Sequence, residues 1–164
     1  KWQAMSAGEL RLPGVLRVSV GSKYGAQHSQ DWTSLVTHVP GLRVIYPATP
    51  HDAKGLMATA LSGNDPTMVF ESQRLYDRVE TFEPDGVPAD YAPIPFGEAA
   101  VRRTGHDVTI LTIGPSLYPA LAFKAHCGCE LRARIVPRID LHLLADPDLD
   151  AEFPVCGCFD LDEW

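Results

Sequence analysis

The chain has 164 residues, which is the size of one ordinary domain or of parts of two. Its 45% hydrophobic and 21% charged residues are typical of a globular chain and exclude an intrinsically disordered one. A formal net charge of −7 argues against nucleic acid as the main partner, because neutralising phosphates requires clustered lysine and arginine. No apolar run approaches the roughly 20 residues that span a bilayer and no signal peptide opens the chain, so we expect a soluble, intracellular protein with no membrane partner.

The first predicted strand covers residues 15–20, a run of mostly apolar and β-branched residues that is typical of a buried strand. Glycines at positions 21 and 25 then lead into the polar run GAQHSQ, residues 25–30. A strand that ends in a glycine-containing loop before a helix is the usual place of a site in an α/β protein. Within this run, His28 carries the side chain that most readily exchanges a proton near neutral pH.

A helix is predicted directly after this polar run. Its apolar residues recur at the spacing i, i+3, i+4 and i+7, which places them on one helical face: Trp32, Leu35, Val36 and Val39. Ser29 or Asp31 is expected to cap the helix start. Such a junction suits an anionic ligand, because free amides and the positive end of the helix dipole meet there. On the residues alone, a structural cap is the favoured interpretation of His28.

Three further elements follow with short connections. Residues 42–46 read as a strand, and Thr49 with Asp52 three residues later forms a capping-box signal before a helix. That helix is expected to show one apolar face and to close at a glycine, with these residues: Ala53, Leu56, Met57, Ala60, Leu61 and Gly63. A third strand is predicted at residues 67–70. The order β-α-β-α-β predicts an α/β fold with a parallel sheet flanked by helices.

The composition changes over residues 73–97, which lack apolar periodicity and read as an extended linker. A new unit then begins with a strand at residues 107–113 and a short helix at about residues 117–125. Another strand is expected at residues 135–144, although Pro137 lies inside it and disfavours a central strand.

Four cysteines occur as two closely spaced pairs, Cys127 with Cys129 and Cys156 with Cys158. Four thiolates are able to form a closed tetrahedral zinc site, but zinc signatures usually place two to four residues between the members of a pair. A disulfide is disfavoured in a reducing cytosol. Incidental, unpaired cysteines are therefore the favoured interpretation, and a metal site is the alternative.

Four stretches follow one another along the chain: GAQHSQ, the predicted helix that contains Trp32, HVPGLRVIYPATPHDAKGLMATAL and NDPTMVFESQRLYD. Together they closely resemble the beta subunit of the thiamine-diphosphate-dependent 2-oxo-acid dehydrogenases, of the pyruvate, branched-chain and acetoin type. The resemblance is dense up to Tyr76, thinner to about Leu117 and patchy beyond. It implies the second half of a transketolase-like pyrimidine-binding domain at 1–76, a linker at 77–100 and the start of a transketolase C-terminal α/β domain at 101–164. Compared with the family, the chain looks truncated at both ends.

The resemblance implies a catalytic role for His28. In the family this histidine faces the substrate carboxylate and donates a proton as the acyl group passes to a lipoyl arm, which suits a polarisable proton donor at a dry site. Gln27, Ser29 and Tyr24 are then expected to line the substrate site. The family glutamate that contacts the cofactor would lie upstream of Lys1, so no residue here is expected to bind the cofactor directly. Glu71 is not expected to replace it, since a solvated or interface glutamate is the simpler interpretation.

The implied cofactors are thiamine diphosphate, shared with an alpha subunit, and magnesium, held on that alpha subunit. A potassium ion bound through main-chain oxygens is a further expectation, at these positions: Gly14, Ala60, Leu61, Gly63 and Asp65. An ordinary helix C-cap explains most of the same positions equally well. The implied partners are the alpha subunit, a second beta subunit and a lipoyl-bearing acyltransferase.

The implied function is the oxidative decarboxylation of a 2-oxo acid with acyl transfer to lipoamide. For this the chain would need the alpha subunit and upstream residues, and a first residue other than methionine fits an excised or truncated piece. A transketolase-type enzyme acting on sugar phosphates is an alternative with the same fold, and a non-enzymatic assembly module that binds metal through its cysteines is another. The resemblance implies a cytoplasmic protein, or one of the mitochondrial matrix if the source is eukaryotic.

Overall fold

The computed structural model describes residues 1–127, except positions 22, 24 and 107, together with residues 131–135. The helices and strands of these residues are, in chain order, α1 (Trp2–Met5), β1 (Gly14–Val20), α2 (Thr33–Thr37), β2 (Arg43–Ile45), α3 (Pro50–Ser62), β3 (Pro66–Ser72), β4 (Ala100–Arg103), β5 (Val108–Thr112), α4 (Leu117–Cys127) and β6 (Leu131–Ile135). Within this described part, no helix is both long and apolar enough to cross a membrane.

The first sheet consists of three parallel strands in the order β1-β3-β2. Its register pairs Gly14 with Pro66 at one end and Val20 with Ser72 at the other. The α/β architecture with a parallel sheet and flanking helices is therefore confirmed. Parallel pairing also brings the carboxyl ends of all three strands to one edge of the sheet, which is where loops of α/β proteins usually form sites.

Helices cover both faces of this sheet, and the side chains of each strand alternate between them, as pleating requires. One face packs against α3 and joins these buried residues: Ile45, Val69, Leu56 and Ala60. The opposite face joins another set, against which Val36 of α2 and Ile113 pack: Val20, Val44, Tyr46 and Phe70. A sheet buried on both sides accounts for the near-continuous apolar runs of β2 and β3.

Helix α3 begins as its sequence predicts. The Thr49 side chain accepts from the Asp52 amide at 3.1 Å, and the Asp52 carboxylate accepts from the Thr49 amide at 3.2 Å. This capping box satisfies two amides at the helix start, with a proline at the first helical position. The predicted apolar face is only partly correct, since Ala53 is exposed and Leu61 is 69% exposed. Leu61 lies one position beyond the row of α3 residues that meets the sheet.

Residues 77–99 contain no helix or strand, and we call them the strap because they run along α3. The Ile94 amide donates to the Gly55 carbonyl at 3.1 Å, and the Thr59 hydroxyl donates to the Ile94 carbonyl at 2.6 Å. A Cβ atom at Gly55 would lie 2.4 Å from the Ile94 side chain, so the strap approaches the helix as closely as glycine permits. That residues 77–100 form a linker between two domains stays a prediction.

A second sheet has the strand order β4-β6-β5, in which β6 is antiparallel to β4 and parallel to β5. Strand β4 was not predicted from the sequence. The strand predicted at residues 135–144 lies outside the described residues except at Ile135, which ends β6. The second sheet meets the first through buried Ala48 and Leu117, and the Tyr118 hydroxyl donates to the Ala48 carbonyl at 3.1 Å.

Arg102 on β4 forms the most buried ion pair among the described residues. Its guanidinium donates to the Asp52 carboxylate at 2.8 Å and also pairs with Glu83 of the strap. The side chains of Arg102 and Asp52 are only 8% and 7% exposed. Breaking a buried pair leaves a charge without compensation, which costs far more than the net worth of the pair itself.

We expect Arg102→Ala to lower the free energy of unfolding by about 3–5 kcal/mol, because Asp52 would keep a buried charge without its guanidinium partner. Urea denaturation followed by circular dichroism measures this. Arg17→Ala is the matched control, since Arg17 pairs with Glu71 while its side chain stays 67% exposed, and a surface pair contributes little. Equal destabilisation by the two substitutions would contradict the importance of the buried pair.

The Glu80 carboxylate of the strap accepts hydrogen bonds from four backbone amides, at 2.8 to 3.2 Å: those of His51, Thr81, Phe82 and Glu83. Partial burial alone raises the pKa of Glu80, but the four N–H donors outweigh this effect and hold the pKa below its usual value. Because the folded pKa lies below the unfolded one, Glu80 stabilises the fold above the unfolded pKa. This stabilisation disappears as the pH falls through the folded pKa.

We therefore expect Glu80→Gln to reduce the loss of folding free energy that occurs as the pH falls from about 5 to about 3. A free glutamate becomes protonated in about this range. Chemical denaturation at a series of pH values gives the comparison. Glu9→Gln, at an exposed position near the amino terminus, serves as the control and should leave the pH profile unchanged. Identical profiles for wild type and Glu80→Gln would show that Glu80 does not carry this dependence.

Candidate functional site

The polar run that begins at Gly25 forms a tight turn after the carboxyl end of β1. Residues 26–28 make one turn of 3-10 helix, preceded by Gly25 with φ +102°. A Cβ atom on Gly25 would lie 2.7 Å from Oε1 of Gln27, so both the backbone angle and the space require glycine here. The Ser29 amide and hydroxyl both donate to the Ala26 carbonyl, at 3.2 and 2.7 Å. We call residues 25–30 the His28 turn.

The structure describes only some of the predicted site residues in full. The backbone of His28 ends the 3-10 turn, whereas its side chain and all of Tyr24 lie outside the described residues. Gln27 and Ser29 flank the His28 backbone and are exposed. The Ser29 hydroxyl is engaged by its own turn. The substrate-binding roles of Gln27, Ser29 and Tyr24 and the catalytic role of His28 therefore stay predictions.

The far end of the His28 turn is fastened to the sheet. The Gly21 amide donates to the Gln30 carbonyl at 3.3 Å, which closes the loop at its base. Asp31 accepts from the Thr33 amide at 2.9 Å and from the Thr33 hydroxyl, so Asp31 rather than Ser29 satisfies a donor at the start of α2. The Tyr46 hydroxyl donates to the other carboxylate oxygen of Asp31 at 3.2 Å.

Tyr46 is a permanent hydrogen-bond donor in this arrangement. Burial, the nearby negative charge of Asp31 and the hydrogen bond to that carboxylate together raise the pKa of Tyr46 well above its usual value. The phenol therefore remains protonated throughout the pH range in which proteins function. The sequence predicted only that Asp31 caps a helix, because no local pattern connects Asp31 to a tyrosine fifteen residues later.

The apolar face predicted for α2 is mostly exposed in this chain. Trp32, Leu35 and Val39 are 46%, 61% and 47% exposed, and only Val36 of that face packs against the core. Helix α2 has five residues, so it turns little more than once and places only Thr33 and Val36 toward the sheet. An apolar surface formed by Trp32, Leu35 and Val39, the α2 patch, is consequently exposed next to the His28 turn. So short a helix also offers little dipole to an anion.

The loop after β3 is joined to β1 beside the His28 turn. The Gln73 amide and the Tyr76 hydroxyl both contact the Ser19 hydroxyl oxygen, at 3.0 and 3.1 Å. Lys23 forms an ion pair with Asp77. No local sequence pattern reveals these contacts, because they link residues more than fifty positions apart. They make the edge at the carboxyl ends of β1 and β3 one connected surface.

A cleft of about 310 Å³ opens on the α3 side of the sheet. Its polar lining includes Arg17, Glu71 and Arg78, and its lining contains no residue of the His28 turn. Arg17 donates to both oxygens of Glu71, at 2.6 and 2.9 Å. Glu71 is thus ion-paired and lines this cleft. The His28 turn leads into α2, which packs on the opposite face of the sheet.

The predicted potassium positions converge at the other edge of the sheet. Gly14 begins β1 and pairs with Pro66 next to Asp65, while Ala60, Leu61 and Gly63 form the carboxyl end of α3. The Gly63 amide donates to the Ala60 carbonyl at 3.3 Å, as expected of a helix C-cap. The Asp65 carboxylate pairs with Arg43 through its Oδ2 atom. Potassium binding stays a prediction.

The described residues contain no cluster of three or more histidine, cysteine, aspartate or glutamate side chains suited to a metal ion. Three of the four cysteines, Cys129, Cys156 and Cys158, lie outside the described residues, and Cys127 ends α4. The predictions about the cysteines therefore stay predictions.

Comparison with known proteins identifies similar chains. The model of the transketolase pyrimidine-binding domain matches residues 2–78. The chain is 42% identical, over 92% of its length, to the beta subunit of acetoin:2,6-dichlorophenolindophenol oxidoreductase from Cupriavidus necator. It is 41% identical, again over 92% of its length, to the beta subunit of the pyruvate dehydrogenase E1 component from Rickettsia felis. Over most of its own length, the chain is similar to these beta subunits.

The resemblance drawn from GAQHSQ and the stretches after it is thereby confirmed. The chain spans 43% and 44% of the lengths of these two beta subunits. A solved structure described as a split-gene transketolase, in an inactive beta4 tetramer, superposes with a TM-score of 0.62. That match covers 78% of this chain and 41% of the other at 21% identity, which supports the transketolase-like fold.

Proposed function

We propose that this chain supplies the His28 wall of the active site of a thiamine-diphosphate-dependent dehydrogenase acting on a 2-oxo acid. The reaction is oxidative decarboxylation followed by acyl transfer to lipoamide. The observation that carries the proposal is the position of the His28 turn, at the carboxyl end of a parallel strand in a chain 41% identical to a pyruvate dehydrogenase beta subunit. Ligands of open α/β sheets bind outside this edge.

The described residues fit one wall of a thiamine diphosphate site rather than a whole one. The turn exposes Gln27 and Ser29 at the sheet edge, and the α2 patch beside it offers apolar surface to a second polypeptide. When bound, thiamine diphosphate supplies the carbon nucleophile that adds to the carbonyl of the substrate. The alpha subunit would hold its diphosphate and magnesium.

Within this wall, His28 would donate a proton to the lipoyl sulfur that is released when the disulfide of the lipoyl arm opens and its other sulfur takes the acyl group. An imidazole suits the task because its two protonation states are both accessible near neutral pH. Gln27 and Ser29 orient the substrate through hydrogen bonds. The short 3-10 turn fixes the backbone of His28 between them, and such positioning is a large part of what an active site contributes to rate.

His28→Ala should lower the kcat for lipoamide acylation by roughly 100-fold or more, which is the usual effect of removing a general acid. The test uses the beta subunit assembled with its alpha subunit and thiamine diphosphate, with pyruvate as the first substrate. His38→Ala is the control, because His38 is an exposed histidine just after α2. Unchanged lipoamide acylation in His28→Ala would remove His28 from the mechanism.

Acetoin is a second candidate substrate. Beta subunits of acetoin:2,6-dichlorophenolindophenol oxidoreductase, from Cupriavidus necator and Bacillus subtilis, match this chain at 42% and 37% identity. The same assembled protein, assayed with acetoin and with 2-oxo acids in parallel, discriminates the two. A higher kcat/KM for acetoin would assign the protein to acetoin cleavage while leaving the role of His28 intact.

The proposed partners are an alpha subunit, a second beta subunit and a lipoyl-bearing acyltransferase. The α2 patch supports a subunit interface, since three large apolar side chains lie exposed together next to the site. Leu35, at 61% exposure, is the most exposed of the three. We assign the patch to the alpha subunit because it lies beside the His28 turn, where the proposed cofactor site would be shared with that subunit.

Leu35→Glu should weaken association with the alpha subunit by about 10- to 100-fold, since burying one leucine contributes about 1.5–3 kcal/mol. Co-purification at decreasing protein concentration measures the effect. Val79→Glu is the matched control, because Val79 is 77% exposed on the strap. An unchanged association for Leu35→Glu would place the alpha subunit elsewhere.

A potassium ion is proposed at the amino edge of the first sheet. Main-chain carbonyl oxygens at the end of α3 and next to Gly14 are the ligand type that hard cations prefer. The ion would stabilise the end of the sheet opposite the His28 turn. Its role would be structural, because α3 and the strands separate it from the site.

A further inference from the structure

Tyr46 is held rigidly between the two sheets. It is 5% exposed, and its ring packs against Phe70 with the ring centres 6.2 Å apart. Its carbonyl accepts from the Gly114 amide at 3.2 Å. A Cβ atom at Gly114 would lie 2.7 Å from the Tyr46 ring, so the backbone of residue 114 lies directly against that ring. A side chain confined in this way holds its hydroxyl in one position, and so restrains the group to which the hydroxyl donates.

That hydroxyl binds the outgoing end of the His28 turn. Tyr46 donates to Asp31 at 3.2 Å, and the second oxygen of Asp31 holds the Thr33 amide at 2.9 Å. Asp31 is itself exposed, so without the hydroxyl its carboxylate would turn toward water. The bond is long for a hydroxyl that donates to a carboxylate, but its acceptor is charged and it joins this segment to a buried residue of the core.

Three further contacts of this loop are weak or lie within it. The base of the loop is closed by the hydrogen bond from Gly21 to Gln30, which is long at 3.3 Å. Lys23 pairs with Asp77, whose side chain is 81% exposed, and surface ion pairs contribute little. The contacts of Ser29 lie within the turn and cannot fix its position against the sheet.

We propose that Tyr46 and Asp31 form a clamp that positions the His28 turn against the sheet, which makes both of them positioning residues of the site. The catalytic consequence rests on the proposed function of His28, whereas the mechanical one does not. Because Gly114 lies against the Tyr46 ring, the packing of the second sheet also constrains the clamp and, through it, the turn. Small displacements of a reacting group are costly, so a loosened turn slows the reaction even when the fold is intact.

The first test is Tyr46→Phe, which removes one hydroxyl and keeps the ring. Hydrogen exchange of the assembled protein, read by mass spectrometry over residues 21–34, should accelerate about 10-fold. Tyr118→Phe is the matched control, because it also removes a hydroxyl that donates across the two sheets, to Ala48. Equal exchange over residues 21–34 in the two variants would overturn the clamp.

Asp31→Asn gives an independent route to the same answer, since it leaves the buried ring untouched and so avoids core damage. It should accelerate exchange in the same segment, and the double variant should add little to either single one, as expected for two halves of one contact. Full additivity in the double variant would contradict a shared clamp. In the kinetic assay, Tyr46→Phe should lower kcat about 10-fold with little change in KM.

The exchange and kinetic measurements separate the two proposals. Faster exchange in Tyr46→Phe, together with unchanged acylation by His28→Ala, supports the clamp and overturns the catalytic role of His28. Loss of acylation in His28→Ala with unchanged exchange in Tyr46→Phe supports the catalytic role and overturns the clamp. Faster exchange with an unchanged kcat limits the clamp to a mechanical role and contradicts its contribution to catalysis.

Discussion

The parallel pairing of β3 with both β1 and β2 determines where the His28 turn and the predicted potassium positions lie. Because all three strands run in one direction, their carboxyl ends share an edge, and that edge carries the His28 turn, Tyr46 and the loop after β3. The amino ends share the opposite edge, where the positions predicted for potassium meet. One register therefore places the His28 turn and the positions predicted for potassium at opposite ends of the sheet.

The elements that depend on local chemistry were predictable from the sequence. The capping box of α3 needs only Thr49 and Asp52, three residues apart, and the three strands of the first sheet follow from short apolar runs. The strand β4 escaped prediction because its sequence, AVRR, is half charged and buries an arginine. Its strand character depends on pairing with β6 and on Asp52, neither of which a local pattern reveals.

The position of the candidate site was predictable from the sequence, but the contacts that hold it in place were not. The run GAQHSQ marks a turn after a strand, and the structure has that turn. The exposure of Trp32 and Leu35 was not predictable, because a 3.6-residue period indicates a helical face but not whether the same chain covers it. Likewise Tyr46 reads as the end of a strand, and only the folded chain brings its hydroxyl to Asp31.

Gly114 supports this arrangement by having no side chain. Its backbone lies where a methyl group would strike the Tyr46 ring, and its φ of +50° is one that few other residues adopt readily. Chimeras that join residues 1–99 to the corresponding later portion of a relative would consequently be compatible only with donors that carry glycine at this junction. Compatibility of the two portions thus depends on one backbone position as well as on side-chain contacts such as that of Arg102 with Asp52, and a sequence comparison limited to matching apolar contacts would overlook that position.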